Sequence, residues 1–187
     1  MIKTIKNFLN KKELKDVHDY FDWIVFQGGE HSRVFESKTQ QVPNALCFYG
    51  NIVANYIMIT KQKVIEKKCG FELLPTYSYV RHYTNKMELK KHIDRPSCEI
   101  SYSLNIWQDY DWPLFFKIDS KIKEYIINPG DIVIYEGSKY PHWRESYPGE
   151  SCLQMFVHYV RKKGQNTKNY LDGFGHLEYP KKIFKKW

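Results

Sequence analysis

Cysteine is scarce in this chain: four in 187 residues, at Cys47, Cys69, Cys98 and Cys152. No two of them form a C-x-x-C pair, which argues against a zinc ribbon, and the thiols read as reduced, in a cytoplasmic setting. No apolar stretch approaches the ~18 residues that a membrane-spanning helix needs, so no membrane partner is expected. Met1–Asn10 lacks a long apolar run, so no secretory leader is expected. Internal repeats and low-complexity segments are missing, as is any linker that would split the chain. Blocks of about five or six like charges are missing too. These absences leave one folded domain over residues 1–187.

Aromatic residues are abundant, at 17% with 15 Tyr and 11 Phe, which favours strands and an aromatic core over a helical bundle. The formal net charge of +8 reads first as a solvated lysine-rich surface and second as attraction to an acidic partner. Asn10 and Glu13 have the spacing of a capping box, and Leu14, Val17 and Phe21 then recur at helical intervals. A second helical run is expected from about Gly50 to Lys68, with Gly70 as its stop. Gln27 to Pro43 reads as loop. After Pro75 the pattern changes to short strands: Tyr77–Tyr83, Cys98–Trp107, Trp112–Ile118, Lys123–Ile127, Ile132–Tyr135 and Cys152–Val160. Along Cys98–Trp107, Ser101, Ser103 and Asn105 alternate with Ile100, Tyr102 and Leu104. The expected fold is α+β, mainly β: a double-stranded β-helix (jelly roll) over residues 71–160. Residues 1–70 give helical support, and a basic extension fills residues 161–187.

One constellation carries chemistry. His92-Ile93-Asp94 puts an imidazole and a carboxylate two residues apart, and on an extended strand they project to one side. With 7 His and 21 acidic residues, about one H-x-D/E triplet arises by chance, so the triplet alone is weak. His176-Leu177-Glu178 fits the same pattern without strand context or a later histidine, and reads as surface chemistry. His92 and Asp94 differ because His142 follows. The stretch between Asp94 and His142 holds about four strands, which a jelly roll needs to bring such positions together. A 2-His-1-carboxylate face with open coordination positions is the donor set of non-haem Fe(II) oxygenases. His158, in mid-strand, is a rival third ligand and reads as a core histidine hydrogen-bonded to a neighbour.

Further residues in order strengthen this: Glu72 to Tyr83, Leu89 to Ser101 around the triplet, Trp112-Pro113, Gly130-Asp131, Tyr135-Glu136-Gly137, His142 to Glu145, and Gln154 to Tyr159. Together the string resembles the Fe(II)/2-oxoglutarate-dependent oxygenases, in particular their prolyl-hydroxylase-like branch, over roughly residues 70 to 160. The resemblance implies Fe(II) held by His92, Asp94 and His142 as catalytic metal ligands. It also implies 2-oxoglutarate and O2 as co-substrates, ascorbate as a reductant, and hydroxylation of an unactivated C–H bond with release of succinate and CO2. Tyr83 falls near a tyrosine lining the 2-oxoglutarate pocket. The chain departs from the branch at Ser151, Cys152 and Leu153, where a cation usually holds the far carboxylate. Arg144, two residues after His142, is the first substitute. Arg161 is the second, and Arg81 and Arg95 are further options. Tyr79, Trp107, Trp112 and Trp143 are candidate pocket walls. The substrate, a protein side chain such as proline or a small molecule, is not legible, nor is the oligomeric state. A cupin-like metalloenzyme without 2-oxoglutarate is the alternative inside the same fold. A basic nucleic-acid-binding module is the alternative outside it, disfavoured by the lack of a recognisable motif.

Overall fold

Local chemistry sets the helices. In the computed structural model, Asn10 Oδ1 accepts from the Lys12 and Glu13 amides while Glu13 Oε2 accepts from the Asn10 amide. This reciprocal cap starts α1 (Lys11–Phe26). Asn51 Oδ1 caps α2 (Ile52–Thr60) from one side only, accepting from the Val53 and Ala54 amides. The expected single run from Gly50 to Lys68 is two helices: Lys61, at φ −94° and ψ 0°, ends α2 and begins α3 (Gln62–Cys69). Gly70 closes α3 in the left-handed region, at φ 91°. The structure describes residues 1–26, 35–36 and 41–172. Most of the Gln27–Pro43 loop, the His176-Leu177-Glu178 triplet and the chain after residue 172 lie outside the described residues.

The strands are β1 (Ile2–Ile5), β2 (Phe35–Glu36), β3 (Leu46–Tyr49), β4 (Leu73–Thr84), β5 (Leu89–His92), β6 (Ile100–Gln108), β7 (Leu114–Ile118), β8 (Lys121–Tyr125), β9 (Ile132–Tyr135), β10 (His142–Arg144) and β11 (Ser151–Arg161). They form two antiparallel sheets, one ordered β1-β9-β6-β11-β4-β3-β2 and the other β5-β10-β7-β8. The architecture is the double-stranded β-helix expected from the strand spacing. β1 and β3 were not foreseen. Four strands, β6 to β9, separate Asp94 from β10.

Period-two alternation gives the large sheet two different faces. Ile100, Tyr102, Leu104 and Ile106 of β6 join Val17, Phe21, Ile24, Met58 and Ile65 of the helices in one apolar layer. The opposite face, with Tyr83 of β4 and Phe156 of β11, packs against Trp112, Leu114 and Phe116, which lead into and along the small sheet. The candidate site lies in this second layer. No helix among the described residues is long and apolar enough to cross a membrane.

Candidate metal centre

β5 and β10 pair antiparallel with His92 directly opposite His142. Opposed residues project to the same face, and the two rings lie 4.3 Å apart. Asp94 stands beyond the end of β5, so strand alternation does not place it. Its amide donates to Gly137 O at 3.0 Å, and that contact turns the carboxylate toward the histidines. A Cβ on Gly137 would lie 2.2 Å from Asp94 Oδ2 and 2.9 Å from both Cys98 O and Ser101 Oγ. Only glycine leaves the carboxylate its room.

The donor atoms of His92, Asp94 and His142 all lie within 4.8 Å of one another. His92 Nε2 is 3.3 Å from Asp94 Oδ1, and His142 Nε2 is 3.8 Å from it. Donors bound to one ion at about 2.0–2.2 Å stand roughly 3 Å apart when adjacent, so the set needs only a small contraction. His92 Nδ1 meets Lys90 O at 2.7 Å, and His142 Nδ1 meets Tyr140 O at 2.9 Å. A carbonyl can only accept, so each Nδ1 carries its proton and a neutral ring turns an Nε2 lone pair inward. Burial lowers the His142 pKa and outweighs the pull of Asp94, which keeps this ring neutral at pH 7. Burial opposes ionisation of Asp94, yet the histidines around it outweigh that and hold its pKa below the usual value. Asp94 Oδ2 is buried with no hydrogen-bond partner. Two imidazoles and a carboxylate converging on one point, with one carboxylate oxygen unsatisfied, fit a divalent cation.

A second group, Asp94, Cys98 and His158, also brings donors within 4.8 Å of one another. Burial pushes the Cys98 thiol up to about 12, and its Sγ lies 3.1 Å from Tyr77 Oη. A protonated thiol is a poor metal ligand. His158 Nδ1 is 2.7 Å from Ser101 Oγ, so it is the hydrogen-bonded core histidine that its position in β11 implied. Burial lowers its pKa to about 4.

Arg144 follows His142 by two residues on β10 and is 1% exposed. Its Nη1 donates to Trp112 O and its Nη2 to Gln154 Oε1. Nε is sealed without a partner. Neither Glu145 nor Glu150 pairs with it, and no ion pair to it occurs among the described residues. The guanidinium lies over the Trp112 ring at 4.7 Å, and Trp112 packs edge-on against Tyr83. Tyr83 is fully buried, and burial raises its pKa. The structure therefore gathers His92, Asp94, His142, Arg144 and Tyr83 into one layer.

It does not bring Arg161 there. That guanidinium is committed to Glu99 and Glu136 and lies over Phe71, so two carboxylates already neutralise it. Two expected pocket walls also lie elsewhere. Trp107 packs against His18 of α1, because β11 pairs with β6 through a bulge at Leu153/Gln154 that shifts its register. Trp143 stacks on Phe115 on the outer face of the small sheet. Sequence reasoning missed the roles of Gly137 and Gln154. A glycine after a strand signals only a turn, and a buried glutamine has no pattern of its own.

No family model and no curated protein matches this chain. Solved structures do match it in fold. A prolyl-4-hydroxylase from Pseudomonas putida has a TM-score of 0.64 at 12% identity, covering 86% of this chain and 92% of that one. An oxidoreductase of the 2OG-Fe(II) oxygenase family from Burkholderia pseudomallei has a TM-score of 0.70 at 9% identity, covering 87% and 86%. HygX from Streptomyces hygroscopicus, with nickel, 2-oxoglutarate and hygromycin B bound, has a TM-score of 0.65 at 9% identity, covering 87% and 83%. The fold of this chain is that of 2-oxoglutarate oxygenases of known structure.

Proposed function

We propose that this chain is an Fe(II)- and 2-oxoglutarate-dependent oxygenase that oxidises an unactivated C–H bond. One observation carries the reading: a fully buried guanidinium, Arg144, with no acid against it among the described residues, stands two residues along the strand from a histidine of a 2-His-1-carboxylate cluster. A dicarboxylate that chelates a metal at one end needs such a cation at the other. The kinship in fold with a prolyl-4-hydroxylase and with HygX supports the reaction class and leaves both protein side chains and small molecules as substrate classes. A cupin-like enzyme would have no use for Arg144.

His92, Asp94 and His142 would hold Fe(II), with His92 and His142 presenting Nε2 and Asp94 one carboxylate oxygen. When bound, the metal and 2-oxoglutarate supply O2 activation and the oxidising equivalent, with succinate and CO2 as by-products. The chain's own residues do the rest. Lys90 O and Tyr140 O fix the two imidazole tautomers. Gly137 seats Asp94. Arg144, held by Gln154 and the Trp112 carbonyl, receives the far carboxylate, while Tyr83 and Trp112 keep water from that end.

The test is direct. The protein is incubated with Fe(II), ascorbate and 2-oxoglutarate, and succinate is measured with and without candidate substrates. Succinate that depends on Fe(II) and is lost in His92→Ala is the expected result. Equal turnover in wild type and His92→Ala, or no binding of 2-oxoglutarate to the metal-loaded protein, ends the reading.

A further inference from the structure

The layer between the sheets holds a second cation with no acid against it among the described residues. Arg81 projects from β4 on the same face as Tyr79 and Tyr83 and is 1% exposed. Its guanidinium lies over both rings, 5.3 and 5.7 Å from their centroids. Nε donates to Cys47 Sγ at 3.1 Å, and Nη1 reaches Tyr83 Oη at 3.4 Å. A guanidinium offers five N–H donors, so most of its capacity is unspent. No carboxylate pairs with it among the described residues, and its strongest electrostatic neighbours are Tyr83, Tyr79 and Cys47. Tyrosine faces offset part of the cost of burying this charge, but a desolvated cation without a counter-ion remains unfavourable.

Charge balance decides what it awaits. Among the described residues, Arg81 and Arg144 with a divalent metal bring four positive charges to this layer, and Asp94 removes one. The remaining three exceed the two negative charges of 2-oxoglutarate. One positive charge is left over. Arg144 adjoins the metal-ligand strand and takes the co-substrate on the reading above, so the surplus sits at Arg81.

The surroundings of Arg81 lead outward. Cys47 belongs to β3, near the edge of the large sheet. Tyr49, also on β3 and half exposed, stacks on Tyr79 at 5.0 Å. Tyr79 in turn lies 5.8 Å from the ring of His158, whose nitrogen is within 4.8 Å of an Asp94 oxygen. A continuous row of flat rings therefore runs from solvent, past Arg81, to the metal centre.

We infer that Arg81 seats an anionic group, a carboxylate or a phosphate, of the primary substrate, whose body lies along this tyrosine row. The inference rests on the oxygenase reading, and the experiment separates the two. The full chain is loaded with Mn(II) and 2-oxoglutarate. Thermal stability is then followed against acetate, inorganic phosphate and neutral acetamide, with ionic strength held constant by sodium chloride. A ligand that binds only the native state raises Tm with concentration. Acetate or phosphate, but not acetamide, raises Tm of the wild type, and whichever acts more strongly identifies the anion. Arg81→Met abolishes the rise while its affinity for 2-oxoglutarate stays within about threefold. Arg81→Lys keeps the charge without the planar fork and serves if Arg81→Met does not fold; its apparent anion affinity falls about tenfold.

Three results overturn the inference. The anion response is the same in the Arg81 variants as in wild type. No anion stabilises the wild type. Arg81→Met loses 2-oxoglutarate while Arg144→Met retains it. The first two leave the oxygenase reading standing. The third moves the co-substrate anchor to Arg81 and removes Arg144 from that role.

Discussion

The two faces of the large sheet are equally dry and chemically opposite. On β6, Ile100, Tyr102, Leu104 and Ile106 face the helices, and Ser101, Ser103 and Asn105 face the small sheet; none is more than 1% exposed. The helix-facing layer is assembled mainly from apolar contacts, with Tyr159 Oη donating to Met58 O and Tyr102 Oη unsatisfied. The inter-sheet layer holds two guanidinium groups, a carboxylate and imidazoles, with Asp94 Oδ2, Arg144 Nε and His158 Nε2 unsatisfied. Burying polar groups without partners opposes folding. The difference teaches that one face stabilises the fold while the other carries groups that burial leaves without partners, a cost that the ligands of the proposed function would offset.

The sharpest way to break that comparison is at the metal cluster. His92→Ala and Asp94→Ala each abolish metal binding, read by calorimetry, and succinate formation, read by product assay, with the circular dichroism spectrum retained. Next comes Arg144→Met. Removing one partner of a buried charge pair costs about 2–5 kcal/mol of binding, so the Kd for 2-oxoglutarate rises about 30-fold or more. Without ligand, the Tm of this variant is unchanged or higher, because an uncompensated buried cation has gone. A lower Tm would place Arg144 with the structural residues instead.

Gly137→Ala probes the cradle. The added Cβ would sit 2.2 Å from Asp94 Oδ2, and losses of this kind in support of a ligand weaken metal affinity about 10–100-fold. Met58→Ala tests the other face. Met58 is fully buried in the helix-facing layer, so the variant loses about 2–5 kcal/mol of stability in urea with metal affinity unchanged.

The smallest effect is at Glu66. Burial opposes its ionisation, but Lys63, Gln62 and the Leu73 amide outweigh burial and lower its pKa from 4.5 to about 2. Between those values the unfolded chain takes up the proton and the folded chain does not. Its contribution is therefore fully present above the ordinary value and is lost as pH falls toward about 2. Glu66→Gln flattens that part of the stability–pH curve without changing stability in the inter-sheet layer.

Much of this was legible in residue order. Asn10 and Glu13 announced α1, Gly70 announced the end of α3, and the alternation along Cys98–Trp107 announced a strand with two unlike faces. β1 and β3 escaped because four-residue strands with mixed neighbours carry too little periodicity to register. The break at Lys61 escaped because apolar residues recur on both sides of it, Ile57 and Ile59 before and Val64 and Ile65 after, so nothing in the pattern marks a change of axis. Trp107 was assigned to the wrong side because a bulge, invisible in one strand's sequence, resets parity. Arg161 looked as available as Arg144 because a sequence does not reveal which acids fold against a cation.

Residue types and their spacing determined the class of architecture and singled out His92, Asp94 and His142 as candidate donors, since strand periodicity and side-chain chemistry are readable along the chain. Long-range pairing decided the rest. The register that sets His142 opposite His92, the Gly137 carbonyl that holds Asp94, and the lack of an acid against Arg81 or Arg144 among the described residues depend on segments far apart in the chain. Such contacts exist only once the sheets have closed, and the electrostatics of a buried charge are set by what closes around it.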